Sequence, residues 1–65
     1  MTLTLNGKSH ETSEKNLADL LRSVGLGDRP VVIEHNQRAL LPREHLQTSL
    51  SEGDVIEVVQ ITAGG

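Results

Sequence analysis

The sequence predicts an α+β domain: a mixed sheet of about five strands, one main helix packed on one face, and a short helical turn before the last strand. Three observations predict it. Short β-forming runs recur between turn signals, at residues 2–5, 31–35 and 55–62. One segment alone, Leu17 to Val24, carries a helical stripe. Asn6-Gly7 directly after the first run is a strong hairpin signal. A lone amphipathic helix has to bury its stripe against a sheet, because nothing else is available to cover it.

In the first strand Leu3 and Leu5 alternate with Thr2 and Thr4, a period of two with one buried face. Asn6-Gly7 suits a type I′ turn, whose two central residues both need positive φ. Lys8 to Thr12 returns as a polar strand, the composition expected of an edge. The helix places Leu17, Leu20, Leu21 and Val24 at i, i+3, i+4 and i+7. Asn16 is the better N-cap, with Ser13 a rival one turn earlier, and Asp19 suits the positive end of the helix dipole. Gly25 is the natural residue beyond the C-cap, with Leu26 supplying the apolar contact that follows.

Val31 to His35 reads as an interior strand, Asn36-Gln37 as a tight turn, and Arg38 to Leu41 as its short partner. Pro42 to Leu46 reads as a helical turn with proline preset for its start. Ser51 to Asp54 is a turn that launches the last strand, in which Ile56 and Val58 point inward and Val59 and Ile61 face the other way. The order β-β-α-β-β-turn-β, with the last strand beside the first, is a β-grasp, the ubiquitin-like roll. It occupies residues 1–61 and leaves residues 62–65 as a flexible C-terminal tail.

Composition narrows the function. A chain of 65 residues is one domain that buries roughly 60% of its unfolded surface, which leaves little room for both a core and a deep catalytic cleft. The absence of Phe, Tyr and Trp removes the stacking platforms of single-strand nucleic-acid binders, and a net charge of −3 opposes phosphate backbones. With no cysteine there is no disulfide, thiolate metal site or cysteine nucleophile. No apolar run spans a bilayer and no signal peptide is legible, so the expectation is a cytoplasmic protein with neither membrane nor nucleic-acid partners.

The C-terminal run Ala63-Gly64-Gly65 directly follows a β-branched strand. Two glycines add chain entropy and no packing, so they contribute little to folding. They do make a thin strand of chain able to enter a narrow slot, and a terminal carboxylate is ionised at neutral pH. Extended, residues 62–65 reach about 13 Å at roughly 3.3 Å per residue. A frayed end is the plain alternative.

The residues Asn16-Leu17-Ala18-Asp19-Leu20-Leu21, Asn36, Leu41-Pro42-Arg43-Glu44, Gly53-Asp54, Ile56-Glu57-Val58 and Gly64-Gly65 together resemble the sulfur carrier proteins of thiamine biosynthesis, over essentially the full length. His35 departs from the family, where an apolar residue is usual. Gln60 to Ala63 lacks the aromatic or proline character of the related molybdopterin synthase small subunit.

The resemblance implies a protein cosubstrate with no catalytic residues and no permanently bound cofactor. A ubiquitin-activating (E1-like) adenylyltransferase would use ATP-Mg to adenylate the Gly65 carboxylate. A persulfide donor would convert it to a thiocarboxylate, and thiazole synthase would take the sulfur. A ubiquitin-like modifier, a molybdopterin carrier and a passive adaptor share the same features.

Val59 and Ile61 either form a second core layer or an exposed docking patch for a partner, and Leu40 either joins that patch or makes an ordinary edge contact. His10, His35 and His45 match no metal spacing. Glu14, Asp19, Glu44, Glu52, Asp54 and Glu57 read as mostly solvated acids. Arg43 is the expected pin of the Pro42 turn, and Gly53-Asp54 reads as turn chemistry.

Overall fold

The computed structural model describes residues 1–61. Among these residues five strands form one sheet: β1 (Thr2–Leu5), β2 (Lys8–Glu11), β3 (Val31–His35), β4 (Arg38–Leu40) and β5 (Val55–Gln60). One helix, α1 (Leu17–Ser23), and one 3₁₀ helix (Pro42–Gln47) complete the order. The sheet runs β2-β1-β5-β3-β4. β1 and β5 are parallel and the other neighbours are antiparallel, so the sheet is mixed. This is the β-grasp arrangement, with the last strand central, the first beside it, and polar β2 at an edge.

Local chemistry sets the turns. Asn6 (φ 51°) and Gly7 (φ 80°) both adopt the left-handed conformation that a two-residue I′ hairpin requires, and Leu5 faces Lys8 across it. Asn36 (φ 52°) and Gln37 (φ 70°) repeat the geometry between β3 and β4 with no glycine at all.

Asn16 caps α1, its Oδ1 accepting from the Asp19 N–H at 2.9 Å. At the other end Gly25 (φ 82°) reverses the chain, the Leu26 N–H donates to the Leu21 carbonyl at 2.8 Å, and the Gly25 N–H to Arg22 at 3.1 Å. These paired bonds are a Schellman closure, and they satisfy two carbonyls that the helix end would leave open.

The core lies between α1 and one sheet face. Leu17, Leu20 and Leu21 meet Leu3, Ile33, Leu40, Ile56 and Val58, with Leu50 closing one side. Each fully buried aliphatic side chain contributes about 1.5–3 kcal/mol of transfer free energy. The segment before β5 is tied to the helix start: the Leu17 N–H donates to the Thr48 carbonyl and the Leu50 N–H to Lys15, each at 2.9 Å.

Leu40 corrects one expectation. It is 8% exposed and pairs with Ile33 across the β3–β4 ladder, so strand alternation turns it to the helix side. It is a core residue and takes no part in an exposed patch.

Candidate functional site

β5 alternates from Val55 to Val59. Ile56 and Val58 are buried, while Val55, Glu57 and Val59 stand on the face that α1 leaves open. Val59 is 62% exposed and Ile61 52%, so neither forms a second core layer. Across the ladder Val59 faces Val32, itself 48% exposed. Three aliphatic side chains therefore stand in water where the described chain ends.

Val32 is a site residue the sequence did not single out. The run Val31-Val32-Ile33 reads as uniformly apolar, which hides the fact that only Ile33 is buried outright. The Ile61 N–H donates to the Pro30 carbonyl at 2.9 Å, which fixes the exit of β5 beside the start of β3. Ala63, Gly64 and Gly65, with the rest of the expected tail 62–65, lie outside the described residues.

Next to the valine pair, Glu34 and Glu57 are direct cross-strand partners on the same open face, and both are exposed. On its other side Glu34 faces Ala39. Like charges set opposite each other destabilise a ladder.

At the far end of β5 a polar cluster joins three segments. His35 Nε2 lies 2.8 Å from Asp54 Oδ2, which also accepts from the Ser51 N–H at 2.8 Å. Asn36 Nδ2 donates to Asp54 Oδ1 at 3.1 Å, and Asn36 Oδ1 accepts from the Val55 N–H at 2.8 Å. A carboxylate can only accept, so His35 Nε2 carries the shared proton. Burial pushes the Asp54 carboxyl up, but the hydrogen bonds from His35, Ser51 and Asn36 together with the His35 charge outweigh it and hold the group below its usual range.

Asp54 thus departs from the solvated acid expected of it, and from a purely local turn role: it is 8% exposed and knits β3 to β5. The six residues of β5 span about 20 Å at 3.3–3.4 Å each, which separates this cluster from the exit at Ile61.

The 3₁₀ helix is pinned by Glu44 rather than by Arg43. Glu44 Oε1 accepts from the Leu41 N–H at 2.7 Å, and Arg38 pairs with Oε2 at 3.0 Å. The Leu41 hydrogen bond lowers the Glu44 pKa most; partial burial opposes it, and the Arg38 and Arg43 charges add to the lowering. His10, His35 and His45 lie on three separate elements, and no metal-holding group of three or more His, Asp or Glu side chains gathers among the described residues. No helix among the described residues is long and apolar enough to cross a membrane.

A compact roll with an open sheet face beside its final strand invites comparison with known proteins. Residues 3–65 match the model of the ThiS family. The chain belongs to the ThiS family. It is 34% identical to the sulfur carrier protein ThiS of Thermus thermophilus over 61 residues, covering 94% of this chain and 95% of the relative. It is 32% identical to the sulfur carrier protein ThiS of Bacillus subtilis over 65 residues, covering 97% and 98%.

The fold agrees. The crystal structure of the thiamine biosynthesis protein ThiS from Geobacter metallireducens superposes with a TM-score of 0.83 at 28% identity, over the whole of both chains. A solution structure of a thiamine biosynthesis protein from the same organism gives 0.77 over 88% of its length. The ThiS match also covers positions 62–65, where the family model extends past the last described residue.

Proposed function

We propose that this chain carries sulfur for thiamine biosynthesis on the carboxylate of Gly65, as a cosubstrate that performs no reaction of its own. The observation that carries the reading is the ThiS match over residues 3–65, which includes the paired glycines. The curated relatives are named sulfur carriers and are matched over nearly their full length, which favours this role over a protein modifier or a molybdopterin carrier.

A carboxylate resists substitution until its oxygen becomes part of a good leaving group. An adenylyltransferase supplies one: a Gly65 oxygen attacks the α-phosphorus of ATP, pyrophosphate leaves, and an acyl-adenylate forms. A persulfide then attacks the acyl carbon and AMP departs. A thiol then attacks the donor's sulfur in the resulting acyl disulfide, forms a new disulfide with it, and releases the acyl-bound sulfur as a thiocarboxylate, which thiazole synthase consumes. ATP-Mg and the groups that position it belong to the partner. This chain supplies the slim terminus and the surface that docks it, formed by Val59 and Ile61 with Val32.

The test is chain-dependent exchange of pyrophosphate into ATP by the adenylyltransferase. Exchange with the wild-type chain that disappears for Gly64→Val supports the proposal. Exchange undiminished by that substitution overturns it.

A further inference from the structure

We infer that the open sheet face docks on the activating adenylyltransferase around a cationic side chain, an arginine by its geometry, received between Glu34 and Glu57 beside the Val32–Val59 contact. This rests on the sulfur-carrier reading and names what recognises the partner.

The pairing of Glu34 with Glu57 works against folding. The two carboxylates are direct cross-strand neighbours, and on this face Glu34 has only Ala39 on its other side. Among the described residues neither takes part in an ion pair, although Arg22 and Arg38 are paired with Asp19 and Glu44 elsewhere. A planar guanidinium presents several donors in a fixed fork and can bridge two adjacent carboxylates, which converts the repulsion into attraction. A metal ion is the poorer occupant, since no third ligand gathers there among the described residues.

Beside the acids, Val32 and Val59 form an exposed apolar pair two residues along the ladder, the next position on the same face, and Ile61 extends it. An apolar centre next to a charged pair is the anatomy of a specific docking surface. A second copy of this chain does not fit it. Two-fold packing through the same face would bring four carboxylates together, on chains that each carry a net charge of −3.

The adenylyltransferase fits better. It has to hold a triphosphate, so the mouth of its site is electropositive, and that field attracts an acidic docking face.

The experiment measures the KM for this chain, and its salt dependence, in ATP–pyrophosphate exchange by the adenylyltransferase. Three proteins are compared: wild type, E34Q/E57Q, and the control E14Q/D28N. The control removes the same charge beside α1, where Glu14 and Asp28 flank Arg22. E34Q/E57Q is expected to raise KM about tenfold at low ionic strength, with a flatter salt dependence and unchanged kcat. It should fold at least as stably as wild type, which keeps the comparison free of unfolding. E14Q/D28N should leave KM unchanged.

A KM and salt slope for E34Q/E57Q equal to wild type overturn the inference and leave the carrier reading standing. An equal KM rise in the control also overturns it, because net charge alone would explain the effect. A wild-type chain that supports no exchange overturns the carrier reading, and this inference with it.

Discussion

His35 and Asp54 meet at 2.8 Å although they are 19 residues apart. The contact clamps the end of β3 to the residue that precedes β5, and Asn36 doubles it by bonding both the Asp54 carboxylate and the Val55 N–H. The open face depends on this clamp, because β3 and β5 supply the Val32–Val59 and Glu34–Glu57 pairs.

Asp54→Ala leaves the Ser51 N–H, the Asn36 amide and the His35 ring without their acceptor. It is expected to cost about 2–4 kcal/mol, read as a lower urea midpoint with an unchanged m-value.

The same carboxylate makes stability sensitive to acid. Its folded pKa lies below the ordinary 3.8, so its contribution is complete above the unfolded value and is lost as pH falls through the folded one. The stability gap between wild type and Asp54→Ala should be full at about pH 5 and should narrow below about pH 3.5. Urea midpoints at the two pH values check this.

Gln37 holds φ 70° without being glycine. A left-handed residue with a Cβ costs roughly 1–2 kcal/mol, partly regained as reduced freedom of the unfolded chain. Gln37→Gly is therefore expected to stabilise by about 0.5–1 kcal/mol in urea titration.

Leu40 and Val59 separate packing from docking. Leu40→Ala is expected to cost about 2–3 kcal/mol, because it empties a core position. Val59→Asp changes a side chain 62% exposed and should leave stability within about 0.5 kcal/mol, while raising the KM of the adenylation reaction. A Val59→Asp chain that unfolds, or that keeps the wild-type KM, would count against the docking face.

The elements with local signatures were legible in the sequence. Asn6-Gly7, the Asn16 cap and the Gly25-Leu26 closure each depend on a few adjacent residues, and each stands where the pattern puts it. The inward positions of β5 followed from alternation.

Tertiary consequences were not legible. The burial of Asp54 needs His35 to arrive from another strand. Leu40 sits in a strand of three residues, too short for alternation to choose a face, and its pairing with Ile33 decides the matter. Val32 lay hidden in an apolar run whose register alone exposes it, and the Glu34–Glu57 pair exists only once β3 is laid beside β5.

The central proposal is that Gly65 bears the sulfur. Mass spectrometry of the C-terminal peptide, after incubation with ATP-Mg, the adenylyltransferase and a persulfide donor, tests it most directly. The expected product has one oxygen of the terminal carboxyl replaced by sulfur, formed only when ATP is present. A chain that is adenylated under these conditions and still gains no sulfur at Gly65 would contradict it.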